Sequence, residues 1–232
     1  MTYVMSDIHG EYEKYLAMLK LIELGDGDEL YVIGDCIDRG SGSVRLLRDM
    51  ASRSNVYPII GNHELMALEI LDKLLVEITE ENAASQIDAD LLTGLAHWQL
   101  DGGDTTIKAI KELSPEERAD VLDYLKEFSP YEIIDVGERT FVLVHSGLGN
   151  CRPGKKLREY DLSELCFMRP DYSVKHFDDD SVYVVCGHTP TRSVTGKDEI
   201  YHNSNNILID CGAVFGGRLA CLRLDDMKEY YI

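Results

Sequence analysis

The sequence predicts an α/β fold, and three features of its 232 residues carry the prediction. Short β-prone apolar runs alternate with helix-like stretches, each early run ends in a polar loop rich in Asp, His and Gly, and the second half of the chain is strand-rich.

Thr2 to Met5 opens as a β-prone run that breaks at Ser6-Asp7-Ile8-His9-Gly10, and Tyr12 to Ile22 follows with apolar residues at helical spacing. The same order recurs twice. Leu30 to Ile33 ends in Gly34-Asp35 ahead of a helix over Val44 to Ala51, and Val56 to Ile60 ends in Gly61-Asn62-His63 ahead of a helix over Leu65 to Ile78. A helical middle spans about Ala83 to Leu95 and then Ser114 to Phe128, the latter opened by the capping pattern Ser114-Pro115-Glu116-Glu117. Strands are expected at Glu132 to Val136, Thr140 to Val144, Val182 to Cys186, Ile207 to Ile209 and Leu219 to Leu224. The second and third of these run into histidine loops, His145-Ser146-Gly147 and Gly187-His188-Thr189.

Length and composition narrow the classes. The chain is long enough to bury a full core, and residues 1–232 read as one domain. No apolar stretch approaches the roughly 20 residues of a membrane span and no basic-then-apolar leader is present, so a cytoplasmic protein is expected. Six cysteines without a C-x-x-C pair speak against a disulfide framework or a zinc knuckle. A formal net charge of −19 repels phosphate backbones and anionic lipid heads, which excludes nucleic acid and membranes as expected partners.

In open α/β sheets ligands bind beyond the carboxyl ends of strands, where five polar loops of this chain fall. Asp7, His9, Asp35, Asn62, His145 and His188 supply carboxylate, imidazole and amide oxygen, a donor set suited to manganese, iron or zinc. Six donors exceed the needs of one tetrahedral ion, whereas two divalent ions bridged by a carboxylate and a water would use them all and lower the pKa of that water for attack on phosphorus. The leaving group needs a proton, and His63 beside Asn62 is placed to give it, with Asp38 to orient the imidazole. Arg39 offers a planar fork for phosphate oxygens. Singly each residue has a plainer reading, a turn, a surface ion pair or a core histidine; their conjunction, each after a strand, favours the site.

Asp7-Ile8-His9-Gly10, Gly34-Asp35-Cys36-Ile37-Asp38-Arg39-Gly40, Gly61-Asn62-His63-Glu64, His145-Ser146-Gly147 and Gly187-His188-Thr189 resemble, in order, the five motifs of the phosphoprotein phosphatase family of calcineurin-like metallophosphoesterases. The resemblance implies a central β-sandwich of mixed sheets flanked by helices. It implies that Asp7, His9 and Asp35 hold one metal, with Asp35 bridging to a second held by Asn62, His145 and His188. It makes His63 the general acid, Asp38 its partner, and Arg39 and Arg169 the two phosphate-binding arginines. Manganese is the metal it suggests, with iron, zinc, nickel or cobalt as alternatives. Trp98-Gln99-Leu100-Asp101-Gly102-Gly103 and Ile209-Asp210-Cys211-Gly212-Ala213-Val214-Phe215 look like segments of the phage lambda phosphatase and small bacterial serine/threonine protein phosphatases. The substrate this implies is a phosphorylated protein or peptide, with small phosphoesters beside it.

Two rivals stand beside that expectation. Symmetrical diadenosine tetraphosphate hydrolases share the metal motifs but show Gly-Asn-His-Asp and an altered Asp-Arg-Gly segment, so Glu64 and Asp38-Arg39-Gly40 favour the protein phosphatase, and a broad-specificity nucleotide phosphatase belongs to the same alternative. An inactive phospho-binding module would have lost a ligand or the proton donor, and none is missing.

Overall fold

The computed structural model describes residues 1–74, 88–152 and 154–232. Two five-stranded mixed sheets face each other with helices outside them. The first sheet contains β1 (Thr2–Met5), β2 (Glu29–Ile33), β3 (Val56–Ile59), β9 (Ala220–Arg223) and β10 (Lys228–Tyr231), in the order β10-β9-β1-β2-β3. The second contains β4 (Glu132–Val136), β5 (Arg139–Leu143), β6 (Val182–Cys186), β7 (Tyr201–Asn203) and β8 (Asn206–Leu208), in the order β4-β5-β6-β8-β7. Each sheet has a parallel run, β1-β2-β3 at one edge of the first and β5-β6-β8 at the centre of the second, and the remaining pairs are antiparallel.

The period of two along a strand explains why these runs are continuously apolar. Val4, Tyr31, Ile33, Phe141, Leu143, Val185 and Leu222 fill the space between the sheets. Their neighbours Tyr3, Met5, Leu30, Val32, Val142, Val184 and Cys221 point the other way, into the cluster under the helices. That layer includes α1 (Tyr12–Leu21), α2 (Ser43–Ala51), α3 (Asn62–Leu74), α4 (Ala89–Trp98), α5 (Asp104–Lys111) and α6 (Pro115–Lys126). Shorter helices follow at α7 (Leu162–Cys166) and α8 (Thr191–Thr195).

The expected elements appear with shifted ends. Asn62 and His63 lie in the first turn of α3 rather than in a loop ahead of it. The expected continuation of that helix to Ile78, and the start of the next at Ala83, lie outside the described residues. The latter helix is described over Ala89–Trp98, with the Asp88 side chain accepting from the Leu91 N–H at its start. Two strands escaped the sequence reading, β7 and β10. Each is short and polar, and each is organised by an antiparallel neighbour, β8 and β9 respectively. Among the described residues no helix is long and apolar enough to cross a membrane.

Candidate metal centre

Backbone bonds tie the loop after β1 to that after β2, and the loop after β6 to that after β5. Asp7 N–H donates to Gly34 O (3.1 Å), His9 N–H to Asp35 O (2.8 Å) and Gly187 N–H to His145 O (2.7 Å). Gly34 has φ +83° and a Cβ there would lie 2.4 Å from His145 Nδ1, so the close approach of the β2 and β5 loops requires glycine. Among the described residues ten non-glycine residues have positive φ, and Asp7, His9, Asp35, Asp38, Arg39 and His188 are six of them. Each such conformation costs on the order of 1–3 kcal/mol, and here the strain collects where the strands hand over to the site.

Glu64, fully buried, locks the arrangement. One carboxylate oxygen accepts from Asp35 N–H and Gly61 N–H (both 2.9 Å), the other from Cys36 N–H (2.8 Å) and Ile37 N–H (3.3 Å). Glu64 therefore shapes the backbone under the site and is absent from the residues lining the pocket. With its carboxylate spent on backbone N–H groups, Glu64 does not itself meet a substrate.

Asp35 sits between two donor groups. His9, Asp35 and His63 offer ligand atoms within 4.8 Å of one another, and so do Asp35, His145 and His188. Asp35 Oδ1 lies 3.3 Å from His145 Nε2, and Oδ2 lies 3.5 Å from His9 Nε2. Asn62 Oδ1 is 3.0 Å from His145 Nε2 and 2.9 Å from His188 Nδ1. Asp7 lines the same pocket, with both carboxylate oxygens accepting from His188 N–H (3.1 and 3.0 Å).

These donors fit a cation. His145 Nδ1 lies 2.9 Å from Ile33 O, which assigns the Nδ1–H tautomer and turns the Nε2 lone pair onto the oxygens of Asn62 and Asp35. Lone pairs facing lone pairs call for a positive charge between them, either a proton or a metal ion. Burial opposes charging His145, yet the Asp35 carboxylate beside it carries its pKa up to about 10. Burial pushes His9 and His188 down to about 3, which keeps both rings neutral and able to ligate. Burial pushes the Asp7 carboxyl well up, with Asp210 adding to the rise. Asp35 goes the other way: burial would raise it, but His145 and His63 hold it well below the usual carboxylate range.

His63 Nδ1 donates to Asp38 Oδ2 (2.7 Å), the pairing expected of a proton donor and its partner. Burial would lower its pKa, but Asp35 and the bond to Asp38 raise it above the ordinary value. Arg39 is turned inward, its guanidinium donating to His9 Nε2 and lying 5.0 Å over the Phe215 ring. The exposed Arg169 lines the same cavity, which measures about 310 Å³. All six expected ligand residues and the four expected catalytic residues thus surround one region, although His9, His145 and Asp38 sit behind the lining rather than on it.

Five further residues line it: Asp101, Phe167, Pro190, Phe215 and Asp210, the last a buried carboxyl pushed by burial up to about 6. The segments holding Asp101 and Phe215 were legible as motifs without a role for those two residues, whereas Asp210 reads from the sequence either as an orienter of a ligand histidine or as a strand-end turn residue. Phe167 had no signal beyond its place two residues before Arg169.

Buried Asp, His and Asn donors at the carboxyl ends of strands, on a two-sheet scaffold, define the class: a metallophosphoesterase, a hydrolase of phosphate esters. The chain belongs to the calcineurin-like phosphoesterase family, whose profile matches residues 2–217. A symmetrical bis(5'-nucleosyl)-tetraphosphatase of Salmonella paratyphi A is 25% identical to it over 271 aligned positions, covering 100% of this chain and 93% of the relative. A crystal structure provisionally named as a diadenosine tetraphosphatase superposes with a TM-score of 0.67 at 19% identity, covering 100% and 92% of the two chains. A protein serine/threonine phosphatase of Saccharomyces cerevisiae superposes with a TM-score of 0.59 at 12% identity, covering 100% and 78%.

Proposed function

We propose that the chain hydrolyses phosphate linkages in nucleotides, with a dinucleoside tetraphosphate as its substrate class, using two divalent ions held by Asp7, His9, Asp35, Asn62, His145 and His188. The observation that carries the nucleotide reading is the mouth of the pocket. Phe167 and Phe215 are 42% and 56% exposed there, beside the two arginines. Exposed aromatic faces next to guanidinium groups suit a base attached to phosphates, because a base can stack while the forks hold phosphoryl oxygens. The full-length relation to a symmetrical tetraphosphatase supports the same reading.

When bound, a pair of ions supplies an activated water and neutralises phosphoryl charge. The protein's own part is to place the donors, to bring Arg39 and Arg169 to the phosphate, and to hold a proton on His63 through Asp38. Manganese is the metal proposed, and a soluble cytoplasmic enzyme the setting.

A second reading, hydrolysis of phosphoserine or phosphothreonine in proteins, is favoured by that same His63–Asp38 pair. A serine alkoxide needs a proton on leaving, whereas a nucleotide phosphate leaves with little help. Comparing turnover of diadenosine tetraphosphate and of a phosphothreonine peptide in the manganese-loaded enzyme separates the two. The dinucleotide is expected to be turned over faster; a peptide rate that exceeds it would replace the first reading by the second.

A further inference from the structure

The segment Trp98 to Gly103 supplies none of the proposed ligands, yet the Asp38-Arg39 turn rests against it. Arg39 N–H donates to Gly102 O (2.9 Å), and Asp38 N–H is shared between Thr106 Oγ1 (3.0 Å) and Ser43 Oγ (3.1 Å). These contacts hold two consecutive residues at φ 72° and 66°, a conformation that side chains resist. Trp98, fully buried, then donates its indole N–H to Asp38 Oδ2 at 2.7 Å, the oxygen that His63 Nδ1 also engages at 2.7 Å. Gly103 makes room, since a Cβ there would lie 2.7 Å from the indole nitrogen. The other oxygen, Asp38 Oδ1, is buried without a partner among the described residues.

A carboxylate's terminal torsion is broad, and no described residue holds this one at Oδ1. Its orientation depends on what grips Oδ2. We propose that Trp98 is a positioning residue of the hydrolytic reaction: its indole N–H fixes the Asp38 carboxylate in the rotamer that aims His63 at the pocket. The inference rests on the phosphoesterase reading above, and it holds whichever phosphoester is the natural substrate. Trp98 also fills core volume, so the test must separate orientation from packing.

A proton donor matters more as the leaving group becomes more basic. In the manganese-loaded enzyme, Trp98→Phe is expected to lower kcat on phenyl phosphate by about 10-fold, the scale of one lost hydrogen bond to a charged group, with KM little changed. On 4-nitrophenyl phosphate the loss should be smaller. In an Asp38→Asn background Trp98→Phe should cost nothing further, because the group it positions is already compromised. Equal losses on the two esters, or a full extra loss in the Asp38→Asn background, would assign Trp98 to packing alone and overturn the proposal.

Should Trp98→Phe fold poorly, an isosteric change replaces it. Trp98 is the only tryptophan in the chain, so biosynthetic substitution by benzothienylalanine exchanges this one N–H for sulfur and alters nothing else. The same leaving-group dependence is expected. The single indole N–H resonance gives a readout independent of turnover: it should move upfield in Asp38→Ala. A wild-type enzyme inactive on every phosphoester would defeat the functional reading, while a resonance unmoved by Asp38→Ala would defeat the role of Trp98.

Discussion

At the scale of single residues the site divides into groups that hold charge and groups that hold position. His63 Nε2 lies 3.9 Å from Asp35 Oδ2, yet the two residues belong to different divisions. Asp35 is shared by both donor groups, so Asp35→Asn is expected to reduce metal content and activity together on every substrate. His63→Asn should keep both ions bound and slow an alkyl phosphate by about 10² to 10⁴-fold, the usual contribution of a general acid, with a smaller deficit on aryl phosphates. Metal analysis of each variant alongside its rates is the check; loss of metal from His63→Asn would make His63 a ligand. His63 and Asp35 were legible from their motifs. The work of Glu64 was not, because a Glu after Gly-Asn-His reads the same whether its carboxylate meets a substrate or, as here, four backbone N–H groups.

Among the elements, those announced by local chemistry were read best. Ser114-Pro115-Glu116-Glu117 promised a capped helix, and α6 opens with the reciprocal bonds: Ser114 Oγ accepts from Glu117 N–H (3.3 Å) and Glu117 Oε2 accepts from Ser114 N–H (2.8 Å). Ser114→Ala should cost about 1 kcal/mol of stability. The Ser114 N–H, with Arg48 beside it, draws the Glu117 carboxyl from 4.5 down to about 2. A depressed folded pKa means that the charged form is the stabilising one. Its contribution is complete above about pH 4.5 and disappears as pH falls towards 2. Wild type should therefore exceed Glu117→Gln in urea midpoint near neutrality and lose that lead on acidification; a lead unchanged at low pH would place the effect elsewhere. β7 and β10 were illegible for the opposite reason. A run such as Lys228-Glu229-Tyr230-Tyr231 has no apolar face of its own and becomes a strand because β9 offers an edge.

For the whole molecule, a chain of net charge −19 gathers carboxylates and imidazoles from loops 181 residues apart at their extremes, as in the bond from His188 N–H to Asp7. Cations that bind the folded state but not the unfolded chain raise its stability by mass action. Chelation is thus expected to abolish activity and to lower the melting temperature, and added manganese to restore both with two ions per chain by elemental analysis. Full activity at one ion per chain would contradict a dinuclear site. The sequence by itself determined the strand, loop and helix alternation and the residues with the chemistry to hold metal and move a proton, because those signals are local: periods of 2 and 3.6, turn residues and short motifs. The two-sheet sandwich came from the family resemblance rather than from the pattern, and only the tertiary structure decided the strand order within the sheets, that Trp98 reaches Asp38 across 60 positions, and that Phe167 and Phe215 line one pocket. Such contacts follow from strand order and register, and a one-residue slip in register would turn each side chain to the opposite face.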